Sequence, residues 1–102
     1  MQIRQGDVFL ERIEKLPEGE QKTVGVEGSR LILVRGEATG HHHSVAARNA
    51  ILMLIGTEMF LRVIRQTKLK HQEHGPITLP PGDYAVKRQR EYEPEGLRNV
   101  AD

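Results

Sequence analysis

Ala50-Ile51-Leu52-Met53-Leu54-Ile55-Gly56-Thr57-Glu58-Met59-Phe60-Leu61-Arg62-Val63-Ile64-Arg65 is the stretch on which the fold class depends. Its Leu, Met, Glu and Arg residues are good helix formers, so one amphipathic helix over Ala50–Arg65 is the alternative to weigh. A glycine in mid-helix costs about 1 kcal/mol, and a threonine follows it here. We therefore predict a hairpin, with strands over Ala50–Ile55 and Glu58–Arg65 joined at Gly56-Thr57.

Short apolar or alternating runs bounded by turn residues continue on both sides of this hairpin. Further strands are predicted at Val8–Ile13, Arg30–Gly36, Thr67–His71, Ile77–Leu79 and Tyr84–Tyr92. Residues 14–29 are predicted to form a mobile loop with a short strand at Thr23–Val26. Turns are predicted at Arg48-Asn49 and Pro80–Asp83. The last strand is predicted to end at Glu93–Gly96, and residues 97–102 are predicted to form a tail. Together these predictions give seven or eight short strands. They predict one all-β domain over 1–102 that forms a small barrel or sandwich.

The composition excludes several classes of function. The chain has 102 residues, a formal net charge of +1 and no cysteine. The charge predicts no strong overall attraction to nucleic acid or to an anionic membrane. The lack of cysteine excludes disulfides, thiolate ligands and cysteine nucleophiles. No apolar run approaches the roughly 20 residues of a membrane span, and the N-terminus lacks a secretory signal pattern, so we expect a cytoplasmic protein without a membrane partner.

The five histidines lie in two short segments, His41-His42-His43 and His71-Gln72-Glu73-His74. On a strand, His41 and His43 point to one face and His42 to the other. Two imidazoles on one face can converge on a single ion, and histidine nitrogen is a common ligand for zinc, nickel and iron. Whether His42 takes part stays open at this point.

The second histidine segment supplies the further ligands that a metal site needs. His71 and His74 both face inward if the bend at Gly75-Pro76 begins early, and otherwise only one of them does. We therefore predict a divalent transition metal, zinc, nickel or iron, held by His41, His43, His71 and His74. Glu73 is the candidate general base if the protein is an enzyme. The alternative is that these histidines are exposed, or only donate hydrogen bonds to the backbone.

Two segments carry a resemblance to a known family. Gly36–His43 places a glycine before a His-x-His pair, and Gly75–Tyr84 ends in Pro-Pro-Gly-Asp-Tyr. This combination resembles the cupin superfamily, which implies a jelly-roll β-barrel holding a metal with histidines and a glutamate. The glutamate implied after the His-x-His pair is absent from Ser44–Asn49, and the histidine implied after the second motif is absent from Tyr84–Gln89. His71, Glu73 and His74 are the candidates to compensate.

Two functions of other classes compete with metal binding. Lys87-Arg88-Gln89-Arg90 lies beside Tyr84 and Tyr92, and a basic stripe could continue through Arg62, Arg65, Lys68 and Lys70. A small barrel binds nucleic acid through such a groove with stacked aromatic rings. Lys87 and Gln89 face away from Arg88 and Arg90 on a strand, however, so a solvated strand face is the favoured interpretation. The other alternative is a non-catalytic accessory module that forms a homo-oligomer or holds a small-molecule ligand.

Overall fold

The computed structural model describes residues 1–36, 40–88, 92–93 and 98–99. In these ranges the chain forms short antiparallel strands and one 3-10 turn at Ala47–Asn49, where we predicted a turn. The strands are β1 (Gln2–Gln5), β2 (Val8–Ile13), β3 (Gln21–Thr23), β4 (Arg30–Arg35), β5 (His42–Ala46), β6 (Ala50–Ile55), β7 (Glu58–Val63), β8 (Thr67–Leu69), β9 (Ile77–Leu79), β10 (Gly82–Arg88), β11 (Tyr92–Glu93) and β12 (Arg98–Asn99). The all-β prediction is confirmed.

The hairpin that decides the fold class is β6–β7. Its two strands pair antiparallel from Ala50 opposite Val63 to Ile55 opposite Glu58. Gly56 has φ 64° in the two-residue turn, a left-handed conformation that glycine adopts without a steric penalty. The predicted hairpin is therefore correct and the helical alternative is wrong. The second strand ends at Val63, two residues before the predicted end.

Two layers of strands form an open sandwich-like arrangement and not a closed barrel. The larger sheet has the order β1-β2-β10-β7-β6-β3. In the second layer β4 pairs with β5 and β8 pairs with β9, and a bridge between Ser44 and Lys70 connects the two pairs. The second layer is therefore continuous from β4 to β9, which brings β5, with its histidines, beside the end of β8.

The core lies between the two layers. Residues of both layers contribute to one buried apolar cluster: Val8, Leu10, Leu31, Leu33, Val45, Ala50, Leu52, Leu61, Val63, Leu69, Leu79, Tyr84 and Val86. A smaller cluster of Leu16, Met53, Ile55, Phe60 and Ala85 also involves strands of the larger sheet. Burial of this aliphatic surface is the main source of stability for a chain with so few aromatic residues.

Several predicted boundaries differ from the structure. The described residues form ten strands through Arg88, more than the seven or eight predicted, and β1 was not predicted at all. The strand in the 14–29 segment is Gln21–Thr23, not Thr23–Val26, and it pairs with β6. Gly82 and Asp83 already belong to β10, because both pair with β7, so the turn at Pro80-Pro81 is shorter than predicted.

The C-terminal predictions fall largely outside the described residues. β10 ends at Arg88, and Gln89–Glu91, part of the long strand predicted over Tyr84–Tyr92, are not described. Within the predicted tail, Arg98 and Asn99 pair with Glu93 and Tyr92, so this part is paired as a strand. Three other predicted segments also lie outside the described residues: the rest of the tail, the residues after Glu93 that were predicted to end the last strand, and the turn segment 37–39. The described part of the chain contains no helix with the length and hydropathy of a membrane span.

Candidate functional site

Four imidazole rings from two separate segments lie together, and we call His41, His43, His71 and His74 the imidazole cluster. The His71 ring centroid is 5.5 Å from that of His41, 4.3 Å from that of His43 and 4.7 Å from that of His74. The His43 and His74 rings are stacked with their centroids 6.2 Å apart. The four histidines named from the sequence as metal ligands are thus neighbours in space.

His42 lies apart from this cluster. Its backbone amide donates to Gln72 Oε1 at 2.8 Å, and both of its ring nitrogens are 3.3 Å from Gln72 Nε2. Strand alternation explains the difference, since His42 and His43 leave β5 on opposite faces. His43 is 2% exposed, which makes it one of the few buried polar residues.

Main-chain pairing sets the positions of the two histidine segments. Ser44 and Lys70 exchange backbone hydrogen bonds at 3.0 and 2.9 Å, which fixes His43 and His71 beside each other. In β4 the register shifts between Ile32 and Val34, where a β-bulge lies opposite His43 and Ser44. Such bulges re-aim the side chains of a strand and are common beside functional sites.

Gln5 determines which nitrogen of His43 carries a proton. Gln5 Nε2 donates to the carbonyl oxygens of Leu69 at 2.9 Å and Gly75 at 2.8 Å, and neither carbonyl can donate in return. The other amide atom, Oε1, is therefore the acceptor that stands 2.8 Å from His43 Nδ1. We assign the proton to Nδ1, which leaves the lone pair of the neutral imidazole on Nε2.

Asp7 stands at that second nitrogen and was not named from the sequence. Its Oδ1 is 3.0 Å from His43 Nε2, and its Oδ2 accepts a hydrogen bond from Arg88 Nε at 2.9 Å. Partial burial raises the pKa of Asp7, but the hydrogen bond from Arg88, and that from His43 when its ring is protonated, outweigh this and hold the pKa below its usual value. Asp7 is therefore an ionised carboxylate at neutral pH.

The contact between His43 and Asp7 depends on the charge of the imidazole. Burial lowers the pKa of His43, and the hydrogen bond with Asp7 offsets this only in part. The neutral ring would direct its Nε2 lone pair at a carboxylate oxygen, an unfavourable contact between two acceptors. A proton or a cation at Nε2 removes this repulsion, but burial of the ring opposes the proton more strongly, so the pKa of His43 stays below its usual value.

Gly6 lets His74 approach the main chain of the β1–β2 turn. A Cβ at this position would lie 2.6 Å from His74 Nε2 and 3.3 Å from His43 Cε1. Because the turn also carries Asp7, His43, His74 and Asp7 meet around one backbone segment. The sequence signal for this turn is a glycine-aspartate pair before a strand. The neighbouring sequence does not indicate which side chains from elsewhere in the chain pack against the turn.

His71 is held by the turn that follows it. Its Nδ1 accepts hydrogen bonds from the amides of Glu73 at 3.0 Å and His74 at 3.2 Å, which bends the chain so that His71 and His74 both reach the cluster. When the ring is neutral, its proton is then on Nε2. Burial and the neighbouring His74 and His41 charges lower the pKa of His71.

Glu73, the candidate base, lies at the edge of the cluster. Its side chain is 70% exposed, and its Oε2 is 3.8 Å from His41 Nδ1. Within the described residues no three histidine, aspartate or glutamate side chains already have the arrangement of a metal site.

An open cavity of about 810 Å³ is lined by residues of β4, β6, β7 and β10, and none of the four cluster histidines lines it. Leu33, Leu54 and Phe60 contribute apolar surface, while Arg35 and Lys87 bring positive charge. Arg88 also lines the cavity and connects it to Asp7. Glu58 lines the cavity too, and Arg35 and Arg88 are paired with Glu27 and Asp7, so its walls carry charges of both signs.

The basic stripe considered for nucleic acid is divided in the structure. Arg62 donates to Asp83 at 2.8 Å, and Arg88 is paired with Asp7. Tyr84 is fully buried and donates its hydroxyl to the Pro80 carbonyl, so its ring is not a stacking platform. Arg90 lies outside the described residues.

The comparisons with known proteins give a family without an activity. A family model described as "Domain of unknown function (DUF8820)" matches residues 4–89. A search of curated proteins found no match, and neither did a search of solved structures. The matched range contains Gln5, Asp7 and all five histidines.

Proposed function

We propose that this chain, which belongs to the DUF8820 family of domains of unknown function, binds a divalent transition metal at the imidazole cluster. His43 Nε2 and the Asp7 carboxylate form the inner pair of ligands. His74, whose ring is stacked 6.2 Å from that of His43, and His41, 5.5 Å from His71, are the further donors, and His71 joins them if its hydrogen bonds with the following turn rearrange.

The contact between His43 Nε2 and Asp7 Oδ1 carries this proposal. Two donors that bond one ion at about 2.1 Å lie about 3.0 Å apart at the right angle of octahedral or square-planar coordination, and about 3.4 Å apart at the tetrahedral angle typical of zinc. The observed separation is 3.0 Å. A divalent cation bound there converts the repulsion between lone pair and carboxylate into two coordinate bonds.

The surroundings of His43 match those of a histidine ligand. Metal-ligating histidines usually donate the other ring N–H to an oxygen, which fixes the tautomer and the ring orientation. Gln5 Oε1 does this for His43, and Gln5 is itself 3% exposed and fully hydrogen-bonded. Ligand histidines must be neutral, and the lowered pKa of both His43 and His71 favours neutral rings at pH 7.

The donor set limits the choice of metal. Imidazole nitrogen with carboxylate oxygen suits zinc, nickel and iron, and no thiolate is available to select softer ions. A metal held by histidines also agrees with the cupin resemblance, with Asp7 in the role of the missing carboxylate. If the site is catalytic, Glu73 is the candidate base.

The cellular setting and the assembly are parts of the same proposal. A chain without cysteine suits a reducing compartment, so we propose a cytoplasmic location. Because β1 and β3 are the edges of the larger sheet, pairing along them is the route we propose for a homo-oligomer.

Elemental analysis and calorimetry on the untagged chain test metal binding. We expect about one zinc or nickel ion per chain after reconstitution. Asp7→Asn, His43→Gln and His74→Ala should each lower the affinity by about tenfold or more, since each removes a donor worth at least 1.4 kcal/mol. His41→Ala tests the fourth imidazole in the same assay.

His42→Ala is the matched control, because it removes a neighbouring imidazole that faces Gln72. It should leave the metal content and the affinity unchanged. Thermal unfolding of each variant without metal separates loss of a ligand from loss of the fold. A wild-type chain that takes up no stoichiometric metal after reconstitution would refute the proposal.

A further inference from the structure

A second polar site lies in the second layer, where β5 meets β8. Four cationic side chains line a groove of about 230 Å³, together with polar Asn49, Gln66 and Thr67. We call this the basic groove, and its cations are Arg30, Arg48, Lys68 and Lys70. No acidic side chain lines it among the described residues, and no ion pair of the described residues includes any of the four cations.

Strand alternation separates the basic groove from the imidazole cluster. Ser44 follows His43 in β5 and points to the opposite face, and Arg30 contacts Ser44. Lys68 and Lys70 are exposed while Thr67 and Leu69 are buried, so both lysines lie on the outer face. The two sites therefore share a strand but not a face.

Arg30 is the anchored cation of the basic groove. Its Nε donates to Ser44 Oγ at 3.1 Å and its Nη2 donates to the Ser44 carbonyl at 3.0 Å. A guanidinium has five N–H donors, so three remain for a ligand. Burial and the charge of Arg48 both lower the pKa of Arg30, so a charged guanidinium is held here beside another cation.

We propose that the basic groove binds a ligand that carries two or more linked phosphate groups. One phosphate carries about two negative charges at neutral pH, too few to balance four cations, whereas a pyrophosphate carries about three and four successive phosphodiesters of a strand carry about four. The guanidinium fork of Arg30 matches phosphate oxygens, and the lysines add point charges. No aromatic ring lines the groove in the described residues, so recognition rests on phosphate and not on base stacking.

Linked phosphates occur in the backbone of nucleic acids and in small polyphosphates. The salt dependence of the binding constant helps to distinguish these two sources. For a single nucleic acid strand on four cations, log K against log salt should have a slope of about −3. The site does not depend on the proposed metal, since its residues are separate from the imidazole cluster. A chelator should therefore leave phosphate binding unchanged, and loss of metal binding in Asp7→Asn should not affect it.

The test uses the full chain in the presence of a chelator. Calorimetry with sodium pyrophosphate and fluorescence anisotropy with a labelled oligothymidylate are the two arms. The double variant Lys68→Ala/Lys70→Ala should weaken binding by about tenfold or more, because it removes two charge-assisted contacts. The control double variant Lys15→Ala/Lys22→Ala removes the same charge outside the groove and should change binding less than about twofold.

Each result has a defined meaning. Binding of oligothymidylate that pyrophosphate displaces identifies a nucleic acid backbone, while binding of pyrophosphate alone identifies a small polyphosphate. Both outcomes support the proposal when the groove variant is impaired and the control is not. The proposal is overturned if neither probe binds, or if the two double variants weaken binding equally, since net charge alone would then explain it.

Discussion

Replacement of Gly6 by alanine tests two effects: the backbone conformation of the β1–β2 turn and the close approach of His74 to that turn. Gly6 has φ 59°, and Gly56 in the β6–β7 turn has φ 64°. Both occupy the first position of a two-residue hairpin turn. A Cβ at Gly56 meets nothing within 4 Å, whereas a Cβ at Gly6 lies 2.6 Å from His74 Nε2. Gly56→Ala is therefore a matched control.

The expected size of each effect follows from these distances. In both variants the left-handed conformation should lower the free energy of unfolding by about 1–2 kcal/mol. In Gly6→Ala the His74 ring must also retreat by roughly 0.8 Å to reach ordinary contact at 3.4 Å. Coordinate bonds tolerate about 0.2 Å, so metal affinity should fall by about 10–100-fold in this variant alone.

Two measurements on the same samples give the result. Urea unfolding of the metal-free chains measures the common backbone effect, and calorimetry with zinc or nickel measures the difference. If Gly6→Ala binds metal as tightly as Gly56→Ala, His74 is not a ligand in the position seen here. If Gly56→Ala loses affinity equally, general destabilisation explains the loss and the role of the turn is refuted.

Two further predictions concern the stability of the metal-free chain. The free energy of unfolding should fall as the pH drops from about 7 to about 5, because His43 and His71 have a folded pKa below the unfolded value of about 6.5. This contribution is present above the unfolded pKa and is lost as the pH falls through the folded pKa. Urea unfolding at several pH values should show a smaller pH dependence for His43→Asn than for the His42→Ala control, and equal slopes would contradict the assignment. Tyr84→Phe removes the partly buried hydrogen bond to the Pro80 carbonyl and should lower the free energy of unfolding by about 1 kcal/mol. An unchanged urea midpoint would show that this hydrogen bond makes no net contribution.

Most of the strands were predictable because their signals are local. Val8–Ile13 and Ala50–Ile55 have the predicted bounds. Their apolar residues and the turns beside them are consecutive in the sequence. Gln2–Gln5 has only one apolar residue, Ile3, and becomes a strand by pairing with β2. Nothing within those four residues indicates that pairing, so β1 could not be predicted from its own composition.

The histidines of the candidate site were predictable for a similar reason, but their partners were not. Alternation along β5 separates His42 from His43, and the bend after His71 brings His74 back to the same side. Asp7 lies 36 positions from His43 in the sequence, and Gln5 lies 38 positions away. These contacts exist because the larger sheet places the β1–β2 turn over the second layer, a consequence of topology that no spacing within the histidine segments reveals.

The β1–β2 turn organises the imidazole cluster although it contains no histidine. Gln5 and Asp7 flank Gly6 and bond the two ring nitrogens of His43, so one hairpin determines both the tautomer and the charge at that ring. The Gln5 amide also holds the carbonyls of Leu69 and Gly75, which bracket the loop that carries His71 and His74. Since these bonds anchor both ends of the loop, they set where His71 and His74 stand relative to His43 and Asp7.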